Sequence, residues 1–271
     1  MNEIILSGIY IYPVKSLGGI SLESSEVVER GLKYDRRWML VDENGLFITQ
    51  RKFSKLVHFK LSFAENGFEV LHKTTNDKIV IPFETDSTET ITVNVWNDFV
   101  KAKVVSEKIS NWFTKKLDMK CNLVFMDEDS IRKVENKPWV TDEIVSFADA
   151  YPFLIISEES LTDLNSRLID KVEMDRFRPN FVVTGCNAYE EDEWSEFKIG
   201  GLNFKGVKSC ARCVITTIDQ NSGEKNSETL NILSTFRNTD NKIMFGMNLL
   251  HLCNGRLSLY DKIEVIKRKI I

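Results

Sequence analysis

The sequence predicts a β-rich α+β fold. Three observations point there. Short β-branched and aromatic runs, separated by turn residues, fill the first hundred positions; helical periodicity surfaces in only two places; and no window reaches the roughly 18–20 apolar residues of a membrane span.

Residues 4–14 form an apolar run that closes at Pro13 and reads as a strand. Residues 38–41 and 46–49 flank Asp42-Glu43-Asn44-Gly45, a hairpin signal because Asn-Gly suits the positive φ of a tight turn. The signal recurs at 63–70 around Glu65-Asn66-Gly67, and residues 91–96 match 100–104 across Asn97-Asp98. Such repetition suggests a β-barrel or sandwich. Ile109, Trp112, Phe113 and Leu117 then fall at the spacing of an amphipathic helix. Ser157 reads as the N-cap of a second helix, with Leu161, Leu164 and Leu168 on one face. Strands resume at 181–183, in a hairpin at 197–204, at 214–218, and at 243–252 and 257–266. The loop 127–148 is the expected boundary between two halves. It is not Gly- or Ser-rich, so the halves are expected to pack tightly.

The 271 residues are 42% hydrophobic and 28% charged, an ordinary globular composition that suits one or two domains. A net charge of −4 argues against a general nucleic-acid binder, which needs a basic face, but leaves room for a local cationic pocket. Cys121, Cys186, Cys210, Cys213 and Cys253 are an odd number without framework spacing, so free or metal-bound thiols in a reducing compartment are expected. The first residues lack the basic region and long apolar run of a signal peptide, and a cytoplasmic location is expected.

Lys208-Ser209-Cys210-Ala211-Arg212-Cys213 is the segment richest in chemistry. Nearby cations favour the thiolate form of a cysteine, the form that acts as nucleophile or soft-metal ligand. The plain alternative is a pair of core cysteines, since free Cys is among the most buried residue types. A zinc site needs four ligands, and His58, His72 and His251 stand at no ligand spacing. A thioredoxin-type pair opens a helix, whereas Val-Ile-Thr-Thr-Ile after Cys213 favours a strand. The fourth reading is one exposed thiolate that ligates a soft or high-valent metal among cations holding an anionic cofactor. Composition does not separate Cys210 from Cys213.

Other residues suit an anion. Lys15-Ser16, at a strand end before Gly18-Gly19, can offer an ammonium, a hydroxyl and backbone N–H groups to a phosphate. The P-loop pattern is absent, and a solvated turn is the alternative. Arg36 and Arg37 precede a strand, where alternation lets only one face a shared pocket. Thr49-Gln50-Arg51 ends the first hairpin; Arg51 can approach the same pocket, although in isolation the three residues read as surface. Arg178-Pro179-Asn180 leads rigidly into a strand, with Arg178 suited to a phosphate and Asn180 to a heterocycle edge. Asp149 is a lone carboxylate in an apolar stretch, either a turn cap or an acid near a reacting centre. The acidic run 188–194 reads as a solvated segment without chemistry.

Tyr12-Pro13-Val14-Lys15-Ser16, Gly31 through Trp38, Arg176 through Gly185 and Cys210 through Asp219, taken together in this order, resemble the MOSC superfamily, named for the C-terminal domain of molybdenum cofactor sulfurases. Ser157 through Leu168 is similar to its amidoxime-reducing members, mitochondrial and bacterial. The resemblance implies an N-terminal MOSC-associated β-barrel domain at 1–122 packed on a MOSC β-barrel domain at 123–271. It implies a molybdopterin-type cofactor whose molybdenum is bound by Cys213, with pterin and phosphate contacts from Lys15, Ser16, Arg36, Arg178, Asn180, Ser209 and Arg212. Arg51 is counted with those contacts, and Asp149 stands beside the metal as a proton source or water organiser. Relatives reduce amidoximes, hydroxylamines and N-hydroxylated bases, with molybdenum as the two-electron centre. The alternatives are a carrier of cofactor or sulfur without turnover of its own, and a protein that has lost the metal. No iron–sulfur cluster is expected, because no cysteine follows Cys253. Electrons are then expected from a separate ferredoxin, flavoreductase or cytochrome b5-like protein, and no targeting or anchor region is expected. Gln220 stands where the family often has Pro, which is expected to alter a turn and not the site.

Overall fold

The computed structural model describes residues 3–134 and 143–269. Its strands are organised by two closed sheets. In the first, Trp38–Val41, Asn122–Phe125, Asp98–Val104 and Thr90–Val95 lie side by side in that order. Phe47 bridges to Val41 and Leu46 to Asn94, so the segment after the Asn44-Gly45 turn joins the two ends. Gly45 takes φ 75°, and a Cβ there would fall 2.7 Å from the Thr92 carbonyl oxygen. Val41, Val93, Val95, Val100, Val104 and Val124 fill the interior. The branched side chains suit both the pleat and the narrow space.

The second sheet has nine strands. Its path runs Ile263–Arg268, Trp194–Ile199, Leu202–Ala211, Lys242–His251, Phe153–Ser157, Phe181–Thr184, Ile5–Ile11 and Ile20–Leu22, with Asn238–Thr239 beside Lys242–His251. Phe153–Ser157 and Phe181–Thr184 are parallel. A helix, α2 (Glu158–Ser166), lies in the crossover that a parallel pair requires. Ile5 also bridges to Lys262; the Leu6 N–H donates to Asp261 O and the Ile263 N–H to Ile4 O, both at 2.9 Å. These bonds close the sheet on itself, which removes the edges an open sheet must protect. The closing strand comes from the beginning of the chain and most of the barrel from its second half. Two three-stranded sheets complete the framework: Phe59–Ala64, Gly67–His72 and Asp77–Pro82 form one, and Gly255–Ser258, Ser24–Val28 and Gly31–Leu32 the other.

The two expected helices form. In α1 (Glu107–Leu117) the Ser106 Oγ accepts from Ile109 N–H at 3.2 Å, and Ile109, Phe113 and Leu117 are buried. The Ser157 Oγ caps α2 by accepting from Ser160 N–H at 3.0 Å, and Leu164 is buried beneath it. A third helix, α3 (Glu228–Phe236), has no counterpart in the periodicity reading.

Two expectations are corrected. Residues 214–218 are not a strand; Val214–Thr217 forms a turn of 3-10 helix. The threonine hydroxyls explain this. Thr216 Oγ1 donates to Cys213 O at 3.0 Å and Thr217 Oγ1 to Val214 O at 2.7 Å, local bonds that compete with a strand ladder. The acidic run 188–194 is not simply solvated, because Glu191 is fully buried. Its carboxylate accepts from Ser157 N–H at 3.1 Å and Ser160 Oγ at 2.8 Å, which fastens the run onto the start of α2. Burial pushes this carboxyl up against those hydrogen bonds.

The closing role of Ile5–Ile11 is testable by deletion. A fragment of residues 123–271 is expected to melt without a cooperative transition, because Phe181–Thr184 loses its neighbour. A sigmoidal circular-dichroism melt of that fragment would refute the role.

Candidate functional site

The strand ends of the barrel and the loops of the first half surround a cavity of about 280 Å3. Lys15, Ser16, Arg36, Arg51, Asp149, Arg178, Asn180, Ser209, Arg212 and Cys213 all line it, so every candidate residue of the sequence reaches one space. Cys210 lines it too.

Lys15 enters from the segment after Ile5–Ile11. Its backbone N–H donates to Trp38 O at 2.8 Å, and the residue is 5% exposed. The Nζ donates to Phe147 O at 2.7 Å and to Asp149 Oδ1 at 2.5 Å. Burial pushes Lys15 down to about 8; Asp149 raises it, while Arg132 and Arg51 lower it. Burial acts to raise the Asp149 carboxyl, but Lys15 and Arg51 outweigh it and hold the group well below the usual carboxylate range. Asp149 is therefore a carboxylate in this site, and the proton of the pair resides on Lys15. Arg132 shapes the loop by donating to Ser146 O at 2.9 Å and Asp149 O at 3.0 Å.

Arg51 is part of the cavity wall. The reading of Thr49-Gln50-Arg51 as surface is corrected here: Thr49 and Gln50 are buried, and they turn Arg51 inward. Its Nε donates to Cys213 Sγ at 3.3 Å and its Nη2 to Asp149 Oδ2 at 2.9 Å. Its guanidinium lies 4.5 Å from the Trp96 ring, whose Nε1–H donates to Asp149 Oδ1 at 3.2 Å. Gln50 Nε2 donates to Ser16 O at 2.9 Å, and the amides of Gln50 and Gln220 exchange two bonds of 3.2 Å. The departure at Gln220 thus does more than alter a turn, because it ties the segment after Cys213 to the one that carries Arg51.

Arg36 and Arg178 form the opposite group. Arg36 Nη1 donates to Asp35 Oδ2 at 2.5 Å and Asn180 Oδ1 at 3.2 Å, and Nη2 donates to Arg178 O at 3.2 Å. Arg37 turns away and donates to Met126 O at 3.0 Å, so one of the two arginines faces the pocket. Asn180 Nδ2 donates to Tyr10 O at 3.1 Å and its Oδ1 accepts from Leu154 N–H at 3.3 Å, which engages this amide in holding strands. Arg212 Nη1 donates to Cys210 Sγ at 3.1 Å and Nη2 to Phe177 O at 2.8 Å. The Arg178 Nη2 and Arg212 Nε are buried and find no hydrogen-bond partner among the described residues. Buried donors without partners are costly, and a negatively charged ligand in the cavity would satisfy them.

A MOSC N-terminal beta barrel domain profile matches residues 4–120, and a MOSC domain profile matches 142–264. The chain belongs to the MOSC family. The MOSC chain is 35% identical over 273 residues to mitochondrial amidoxime reducing component 2 of Rattus norvegicus, covering 96% of this chain and 79% of the relative. It is 33% identical to mitochondrial amidoxime-reducing component 1 of Mus musculus, covering 86% and 71%, and 32% identical to component 1 of Homo sapiens, covering 86% and 72%. Among the described residues of this MOSC protein no helix is long and apolar enough to cross a membrane.

The sequence reading missed Trp96, Arg132 and the Gln50–Gln220 pair. Their positions carry no local pattern, because each acts through a partner at least fourteen positions away.

The Lys15–Asp149 pair sets a pH dependence. The unfolded chain holds more protons than the folded one between pH 8 and 10.5, so the Lys15 contribution to stability rises with pH there. The Asp149 contribution is complete above its ordinary value of 3.8 and fades as the pH falls below it. Asp149→Asn is expected to remove the acid-side dependence and to lower Lys15 further, so that Lys15 acylates faster at neutral pH. Competitive amine labelling reads this, and a labelling profile unchanged from wild type would refute the pairing.

Proposed function

We propose that this protein is a molybdenum-cofactor-dependent oxidoreductase that reduces N-hydroxylated substrates such as amidoximes, hydroxylamines and N-hydroxylated bases. One observation carries the reading: the Cys213 thiol opens into a cavity walled by Lys15, Arg36, Arg51, Arg178 and Arg212, with two buried guanidinium nitrogens that find no partner among the described residues. A soft sulfur ligand beside a surplus of cations fits a cofactor that combines a soft-ligand metal with a phosphate. The kinship with proteins named amidoxime-reducing components supports the substrate class.

The donor set fits the group. Cys213 would ligate the molybdenum, and Lys15, Ser16, Arg36, Arg178, Ser209 and Arg212 would hold the pterin and its phosphate. When bound, the cofactor supplies a two-electron metal centre for N–O reduction. The chain's own residues do the rest. Arg51 holds Cys213 Sγ and the Asp149 carboxylate together through one guanidinium. Asp149, kept ionised, orders water or a substrate N–H beside the thiol, and Lys15 Nζ holds the proton of the site. Asn180 keeps Arg36 in place. Electrons reach the site from a separate ferredoxin, flavoreductase or cytochrome b5-like protein. The free thiols at Cys121, Cys186, Cys210, Cys213 and Cys253 suit a reducing compartment, and the reading places the protein in the cytoplasm.

Metal analysis and turnover test this together. Protein from a cofactor-competent host is expected to contain molybdenum, Cys213→Ala to lose it, and Cys210→Ser to keep most of it. Equal loading of wild type and Cys213→Ala would sink the ligand assignment. Loaded protein is expected to reduce benzamidoxime with a viologen dye as reductant; full loading without turnover would favour a cofactor carrier. Arg178→Ala is expected to lower cofactor retention by about 10-fold or more, the scale of one charged hydrogen bond.

A further inference from the structure

Gly18-Gly19 follows Lys15-Ser16 and offers itself in sequence as a turn whose N–H groups bind a phosphate. The fold uses the pair differently. The Gly18 N–H donates to Phe59 O at 3.2 Å. A Cβ on Gly19 would lie 2.6 Å from Cε1 of Tyr12, closer than side chains tolerate. Gly19 is outside the left-handed region, so space for this ring and not backbone freedom selects glycine there.

Tyr12 is 2% exposed and joins three segments of the site. Its N–H donates to Asp35 Oδ1 at 2.8 Å, its carbonyl accepts from Arg36 N–H at 3.0 Å, and its hydroxyl donates to Pro179 O at 3.2 Å. The guanidinium carbons of Arg36 and Arg178 lie 4.6 Å and 4.2 Å from the centre of its ring. Both arginines take left-handed φ values, 52° and 55°, which persist only where the surroundings hold them. Two like charges in half-buried space repel, and the negative face of an aromatic ring offsets part of that repulsion. The hydroxyl is already committed to Pro179, so the ring is the part that acts on the arginines.

We propose that Tyr12 is a positioning residue of the anion site: its ring, seated by Gly19, holds the Arg36 and Arg178 guanidiniums together so that both face one phosphate-bearing ligand. This rests on the reading of the cavity as an anionic cofactor site. Tyr12 acts through the two arginines, and its replacement changes no charge.

Calorimetric titration of the cofactor-free full chain with inorganic pyrophosphate tests the inference without turnover. Arg178→Ala is expected to weaken binding by about 10-fold or more, and Tyr12→Leu by roughly 5- to 30-fold, the scale of two lost cation–ring contacts. Tyr12→Phe, which keeps the ring, is expected to recover most of what Tyr12→Leu loses. Gly19→Ala, which displaces the ring without removing it, is expected to weaken binding in a folded protein and serves if Tyr12→Leu does not fold. Wild-type affinity in Tyr12→Leu or Gly19→Ala, with Arg178→Ala weakened, overturns this inference alone, as does a Tyr12→Phe as weak as Tyr12→Leu. Wild-type affinity in Arg178→Ala overturns the anion-site reading and this inference with it.

Discussion

Positive charge concentrated on one half-buried wall is the constraint that shapes the rest of the site. Lys15, Arg36, Arg51, Arg178 and Arg212 line a single cavity, where low dielectric strengthens their repulsion. Carboxylates, ring faces and carbonyls offset it. Asp35 takes Arg36, and Asp149 takes Lys15 and Arg51. Tyr12, Trp96 and Phe177 lie against the guanidiniums of Arg36 and Arg178, Arg51, and Arg212. These devices hold the cations without neutralising all of them, and the remainder is visible as the Arg178 and Arg212 nitrogens that find no partner among the described residues. An anion completes such a site more economically than further folding does, because every added internal carboxylate must itself be desolvated.

The barrel makes that concentration possible. Repelling groups stay together only when each is anchored to a stiff element. Lys15 follows the strand Ile5–Ile11, Asn180 precedes Phe181–Thr184, Asp149 precedes Phe153–Ser157, and Ser209 and Cys210 lie near the end of Leu202–Ala211. Ile5–Ile11, Phe181–Thr184 and Phe153–Ser157 are successive neighbours in the closed sheet, so closure fixes their ends relative to one another. Arg51 belongs to no strand, and its place depends instead on the buried Gln50 amide and its Gln220 partner. The closing of the barrel and the rigidity of the site are thus one requirement.

The sequence was most legible where a pattern is local. The Gly45 turn, the Ser157 cap and the α1 apolar face each report on neighbours within one turn of chain, and each forms. Lys15, Arg36, Arg178 and Arg212 were legible as cations near strand ends, and the cavity gathers them. What escaped was set by distance or by competition. The Val-Ile-Thr-Thr-Ile run carries strand propensity, but threonine hydroxyl bonds to nearby carbonyls draw it into 3-10 helix. Glu191 has the look of surface charge until Ser157 and Ser160 arrive from another element to satisfy it. Arg51 reads as surface until Asp149 and Cys213 meet it from ninety-eight and one hundred and sixty-two positions away.

That last contact bears on the two cysteines. Adjacency in sequence assigns Arg212 to Cys213, but in space Arg212 Nη1 meets Cys210 Sγ and Arg51 Nε meets Cys213 Sγ. Each thiol therefore has its own guanidinium, and the two environments differ in what else that guanidinium does. The Arg212 fork ends on the Phe177 carbonyl, a fixed backbone acceptor in the second half of the chain. The Arg51 fork ends on Asp149, which also takes Lys15 and Trp96. Cys213 is thereby wired to the Asp149 carboxylate and through it to Lys15, while Cys210 is wired to backbone. Under the proposed function a reacting centre needs its ligand beside groups that hold and accept protons, and that requirement favours Cys213 where composition does not.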